Sequence, residues 1–257
     1  MNELFHMLFL FFIYSFLGWG VEVAYHVITV GKFINRGFLV GPYCPIYGFG
    51  MIFILYLLTP YMNNLFIVFL LSMAITTFIE LVAGAAMEKF LHKRWWDYSD
   101  MPFNYKGYIC LRFSLYWGLG ALFVIEIIHP LVDDIYEYMP HIVTVVFVVV
   151  MALMMFIDFI YTLKRVLGLN RELAEIYEME KKIEKLSDDI GGKITEGVIR
   201  SEENKKKLHE KYVSLSKKRD LRVDELSKKH RRMIKAFPNI KDVSYDNVFE
   251  KIKNKVK

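Results

Sequence analysis

The sequence predicts an all-α polytopic membrane bundle of about five transmembrane helices, followed by a cytosolic helical tail. Three observations carry that prediction. First, charge is partitioned along the chain: residues 1–163 hold seven basic and eleven acidic side chains, net −4, whereas the remaining 94 residues net +9. Second, no charged side chain occurs from Gly37 to Ile79. That stretch is too long for one buried helix and long enough for two passes of a hydrocarbon core about 30 Å thick. Third, basic residues occur only in alternate connections between the apolar runs.

The first run, residues 4–30, has no basic leader and no small-residue cleavage site. It is too long for a signal-peptide core and is expected to remain as helix one. Further runs predict helices over 45–58, 65–87, 109–128 and 142–163. In lipid each segment must pair its own backbone groups, so helix is the form expected. The loop after helix one holds Lys32 and Arg36, and the loop after helix three holds Lys89, Lys93, Arg94 and Lys106. The turn 59–64 holds no basic residue, and the turn after helix four holds Asp133, Asp134 and Glu137 without Lys or Arg. This alternation places the N-terminus outside and the C-terminus in the cytosol of a cell membrane. Residues 1–164 are read as the transmembrane domain and 165–257 as a basic, helical or coiled-coil tail.

In the tail, Ile176, Met179, Ile183, Leu186 and Ile190 recur by three and four, a short a/d seam. Gly191-Gly192 is expected to end that helix. A second helix is expected over 195–236, with Leu208, Tyr212, Leu215, Leu226 and Met233 as its apolar stripe and Pro238 as its stop. An antiparallel hairpin with a last short helix near Asn247 is the simplest packing. The basic excess suits a solvated face or contact with anionic headgroups. Aromatic residues do not interleave the charges, so nucleic acid is not an expected partner.

Ionisable groups inside a membrane cost roughly 2.5–3.5 kcal/mol each on insertion scales and face a bundle interior or cavity. Glu22 and His26 lie four apart on helix one and share a face. Glu80, Asp158 and Arg112 fall in the same, cytosolic half. A polar pocket open to the cytosol is one reading, with Arg36 or Arg112 as counter-charge and a cation, proton or basic group as its occupant. Pairing that merely fixes helix register is the other. Asn35, Asp97 and Asn104 add fixed polar groups in the loops on that side. Cys44 and Cys110 are read as packed thiols, with no matching cluster for a metal. No phosphate loop of the form G-x-x-x-x-G-K-[ST], no G-x-S-x-G elbow and no H-E-x-x-H helix is present. Neither enzymatic activity nor a cofactor is expected.

Gly18-Trp19 with Glu22, Asn35-Arg36-Gly37-Phe38-Leu39, Gly41-Pro42 and Cys44-Pro45-Ile46-Tyr47-Gly48 form one set of motifs. Trp96-Asp97-Tyr98, Asn104, Gly107, Cys110-Leu111-Arg112, Trp117-Gly118 and His129-Pro130 form a second. On these residues the chain resembles the CmpB family of ABC-transporter type IV membrane proteins, over roughly residues 10–165. The resemblance implies a permease-like component. Any ATP-driven role then needs a separate ATPase subunit, and five helices are few for a complete path, so homo-oligomers or partners are expected. The alternative is a membrane scaffold or sensor whose tail binds a cytosolic protein. A third reading is an enzyme acting on lipid headgroups through Glu22, His92 or Asp97.

Overall fold

The computed structural model describes residues 3–195 and 202–256. The chain divides into two compact units: residues 1–164 with 236–240, and residues 165–235 with 241–257.

In the first unit, α1 spans Glu3–Val30 and α2 spans Pro45–Leu58. Pro45 starts α2 at a position where its missing N–H costs nothing and its fixed φ suits the helix. A short 3₁₀ turn, Thr59–Tyr61, closes it. α3 spans Leu65–Leu91 and starts on Asn64, whose side chain accepts from the amides of Phe66 and Ile67 at 3.2 Å each. It runs one turn beyond the expected Met87 and ends at His92 in the left-handed region. α4 spans Leu111–Tyr138. It carries a π-turn at Val124–Ile128, immediately before Pro130. Proline has no N–H for the regular ladder, and the wider turn re-registers the chain around it. The fifth helix, α5, spans His141–Thr195 and continues into the second unit.

Four of these helices, α1, α3, α4 and α5, are long and apolar enough to cross a membrane, whereas the apolar helix Pro45–Tyr61 is shorter. Their packed side is a layer of Phe9, Phe12, Ile54, Val68, Ile125, Val132 and Val148. Their other side is open: Phe66, Phe78, Phe90, Phe156 and Ile157 are all about two-thirds exposed. In water so many exposed large apolar side chains would drive association; in hydrocarbon they are solvated. The chain is a membrane protein on that ground. α1 and α2 approach closely at Gly18, where a Cβ would overlap the Tyr47 side chain.

The second unit has its own core. Val166, Leu169, Leu173 and Ile176 recur by three and four on the distal part of α5 and are buried, as is Ile183. The expected seam therefore begins ten residues earlier than Ile176, and Leu186 and Ile190 are only half-buried. α5 also does not stop at Gly191-Gly192 but continues to Thr195. Glycine weakens a helix by about 1 kcal/mol without forcing an end, unlike proline. The expected second helix is two: α6, Glu202–Lys229, and α7, Arg231–Ala236, interrupted at His230. The part of that helix expected over 196–201 lies outside the described residues. α6 runs antiparallel to α5, with Lys229 Nζ 2.6 Å from Glu172 and Arg222 Nη2 3.3 Å from Glu175. α8, Asp246–Val256, adds Val248, Phe249 and Ile252 to the core.

Candidate functional site

The loop between α1 and α2 is shaped by backbone pairing before it carries any chemistry. Asn35 Oδ1 accepts from Trp19 Nε1 and from the Gly37 amide, both at 2.9 Å, and its Nδ2 donates to the Val40 carbonyl at 2.6 Å. Asp158, on α5, fills the same loop from the other side. Its carboxylate accepts from the amides of Val40 and Gly41 at 3.1 and 2.7 Å, from the Tyr43 hydroxyl at 2.9 Å and from Thr162 at 3.1 Å. Burial, then the hydrogen bond to Asp158, hold the Tyr43 phenol well above its ordinary range. Asp158 thus spends its acceptor capacity on that loop and on Thr162 of its own helix. Cys44, next in the chain, is buried, and burial followed by the Glu22 charge pushes its thiol up to about 12.

That loop delivers Arg36 and Tyr47 to α1. Tyr47 donates to Glu22 Oε1 at 2.6 Å, a short charge-assisted bond, and Arg36 Nε lies 3.4 Å from Glu22 Oε2. Arg36 Nη1 is 3.4 Å from His26 Nδ1, and His26 is buried one turn from Glu22. Glu22, which is half-buried, therefore has both a counter-ion and a neutral hydrogen-bond donor.

Glu80, on α3, is held differently. It is 8% exposed and has no counter-ion in the described contacts. Tyr98 donates to its Oε1 at 3.1 Å, and Trp117, on α4, lies beside the same carboxyl group. Oε2 is buried with no hydrogen-bond partner among the described residues. Tyr98 stacks on Phe113 at 4.7 Å between centroids, which fixes its ring. Burial first, then the nearby charges of Glu80 and Glu22, hold the Tyr98 phenol far above its usual range. The Tyr47 ring packs edge-on against Trp117 at 5.6 Å. Glu22, Tyr47, Trp117, Tyr98 and Glu80 thus form one cluster, built from α1, α2, α3, α4 and the loop before α4.

The remaining candidates lie apart. Asp97 is 3.7 Å from Arg94 Nη1 and accepts from Ser99 at 2.5 Å. Arg94 is committed to Glu88 at 2.8 Å and covers the Tyr108 ring at 5.1 Å. Asn104 braces the turn, donating to Met101 O at 2.7 Å and accepting from the Gly107 amide at 3.2 Å. Gly107 takes φ +73 there, beside Asp97 and Ser99, a conformation and a space closed to other residues. Arg112 Nε donates to Tyr116 at 3.2 Å and its guanidinium lies over that ring. The structure brings Glu22, Arg36 and Glu80 into one region and uses Asn35, Asp97 and Asn104 to hold loops. Tyr47 and Tyr98, absent from the sequence-derived site, are central to this geometry, whereas Asp158, read from the sequence as one of the intramembrane acids, holds the loop after α1.

Residues 9–163 match the model of a protein family described as "Putative ABC-transporter type IV" (ABC_trans_CmpB). No curated protein and no solved structure matches the chain.

Proposed function

The chain belongs to the CmpB family of ABC-transporter type IV proteins, and from that membership we propose that it is the permease-like membrane component of a transport assembly. In this proposal it is multi-pass with five spans, the N-terminus is outside and the C-terminus is cytosolic. ATP-driven work comes from a separate ATPase subunit, and the chain assembles with that subunit or with further copies of itself. Its cargo or coupling ion is cationic, a proton or a basic group. It binds a polar pocket open to the cytosol at Glu22 and Glu80, and the protein is not an enzyme.

The single observation that supports this most is the buried Oε2 of Glu80, which has no hydrogen-bond partner among the described residues. A carboxyl group of fixed register would be expected to use both oxygens; a group that exchanges a cation or proton keeps one open. Glu22, with Arg36 and Tyr47, supplies a second acceptor whose charge is already compensated.

The test is purification of the full chain in mild detergent, identification of what accompanies it, and proton flux into proteoliposomes followed with an entrapped pH dye. We expect an ATPase subunit in the eluate and a flux that Glu80→Gln lowers at least about tenfold, as loss of a required ionisable group does. Flux equal to that of empty liposomes, with no ATPase subunit bound, would sink the reading.

A scaffold or sensor acting through the tail is the second reading. It is favoured by the independent core of residues 165–235 and 241–257. Removal of residues 170–257 should then abolish function while membrane insertion persists, and an active deletion variant would remove this reading.

A further inference from the structure

Among the residues singled out by sequence, Arg112 serves neither the carboxylate cluster nor a loop. It lies in the first turn of α4 and its side chain is exposed. Nε donates to the Tyr116 hydroxyl at 3.2 Å, and the guanidinium lies over that ring, 5.6 Å from its centroid. Among the described residues no carboxylate lies within ion-pair distance of it, and both Nη groups are left without an acceptor. Tyr25, on α1, lies beside the same guanidinium, and its hydroxyl has no hydrogen-bond partner among the described residues. The result is a set of donors with one uncompensated positive charge.

The residues beneath Arg112 continue the pattern into the membrane. Arg112, Tyr116, Leu119 and Phe123 follow one another by four, three and four, and so form one stripe of α4. Tyr116, Leu119 and Phe123 are each about half exposed, as are Tyr25 and Val21, four apart on α1. The packed side of α4 is a different one, buried through Ser114, Gly118 and Ala121. Tyr116 lies five residues after the start of α4 and Tyr25 five before the end of α1, a depth of about 7.5 Å from each helix end. The cation thus stands at the helix end, the two phenols lie just below it, and apolar side chains lie deeper. Charge, hydroxyl and hydrocarbon follow in the order of phosphate, glycerol ester and acyl chain in a phospholipid.

We propose that Arg112, Tyr116 and Tyr25 form a binding site for the phosphate of an anionic phospholipid whose acyl chains lie along the exposed stripe of α4. An arginine that only snorkels to water needs neither a fixed plane nor neighbouring phenols. Here the bond from Nε to Tyr116 sets the plane of the guanidinium and leaves the two Nη groups as the pair that fits two phosphate oxygens. A zwitterionic lipid brings its own cation to that phosphate, whereas a lipid of net negative charge compensates the guanidinium. Every residue of the site belongs to the first unit, and the site stands whether or not the chain transports anything.

The test uses the full chain in nanodiscs of phosphatidylcholine with a minority of phosphatidylglycerol, and reads the lipids retained on release by native mass spectrometry. Wild type should retain phosphatidylglycerol well above its bulk fraction. Arg112→Gln should lower that preference at least about fivefold. Arg112→Lys, which keeps the charge without the paired donors, should lose most of it too. Tyr116→Phe with Tyr25→Phe should shift it in the same direction. These last variants are conservative and decide the matter even if Arg112→Gln does not fold. Lys89→Gln, the same charge change in the exposed last turn of α3, should leave the preference intact. Inorganic phosphate, compared with chloride at matched ionic strength, should not displace the lipid, because it brings no chains to the stripe. Equal preference in wild type and Arg112→Gln, full preference in Arg112→Lys, or equal loss in Lys89→Gln would overturn the proposal. Displacement by inorganic phosphate would overturn it as well, since free phosphate would then be the ligand.

Discussion

Tyr47 reaches Glu22 only because residue 18 has no side chain. A Cβ at that position would meet the Tyr47 ring and Cβ, whereas a Cβ on Gly20 would meet nothing within 4 Å. Gly18→Ala should therefore push Tyr47 off Glu22 and lower stability by about 1–3 kcal/mol, the cost of overpacking a tight contact. Thermal unfolding of the detergent-purified chain measures it, with Gly20→Ala as the variant that should not move. Equal shifts in the two would show that helix propensity, not the Tyr47 contact, sets the outcome. Cys44 allows a second measurement at this scale. Its thiol, buried and pushed up to about 12, holds on the order of one part in ten thousand thiolate at pH 8. Maleimide should label it far more slowly in the folded chain than after denaturation, and rapid labelling of the native protein would contradict that burial.

Between elements, single side chains decide how helices are joined. Asp158 ties the loop after α1 to α5 through the amides of Val40 and Gly41 and the hydroxyl of Tyr43. Asp158→Ala leaves those donors unpaired, each worth about 1–3 kcal/mol, so amide exchange over residues 38–44 should accelerate while that of α3 stays unchanged. In the second unit, burial first and then the Arg165 charge lower the His230 imidazole to about 4, against the pull of Glu172. The neutral ring is the folded form, so the stability it contributes is complete above the ordinary value near 6.5 and is lost as pH falls through 4. Acidification from pH 7 to 4 should weaken protection of amides 226–234 by at most about 3 kcal/mol, and His230→Gln should flatten that dependence. The elements themselves were legible in the sequence wherever solvent dictates pattern: α2 begins and ends where its apolar run and Pro45 place it, and α1 and α3 differ by a residue to a turn. Where competing costs are small, sequence reading missed. Gly191-Gly192 did not stop α5, because about 2 kcal/mol of lost propensity is within what a long packed helix tolerates. The carboxylates of the candidate site were legible because charge in hydrocarbon is conspicuous. Tyr47 and Tyr98 were not, since a tyrosine near a membrane surface has an ordinary explanation until its hydroxyl is placed on a carboxylate.

At the scale of the whole molecule, α2 decides the number of crossings. Fourteen helical residues span about 21 Å, and the 3₁₀ turn to Tyr61 extends this by about 6 Å, against a hydrocarbon core of about 30 Å. The shortfall of a few ångströms costs fractions of a kcal/mol per ångström, met by local thinning. Folding α2 back to its starting side would cost more. It would withdraw Met51, Ile54 and Leu58 from the layer they share with Phe12 and Val68, each worth about 1.5–3 kcal/mol when buried. Five crossings are therefore the expected topology, with the turns after α2 and α4 on one side and the loops after α1 and α3 on the other, together with the tail. Single cysteines at exposed positions, treated on intact cells with a membrane-impermeant maleimide, read this directly, since native Cys44 and Cys110 are buried. Asn63→Cys and Glu137→Cys should label from outside, and Lys32→Cys, Lys106→Cys and Asn254→Cys only after lysis. If Asn63→Cys labels with Lys32→Cys instead of with Glu137→Cys, α2 does not cross. The basic loops would then lie on opposite sides of the bilayer, and the charge pattern that predicts orientation would have no electrostatic cause.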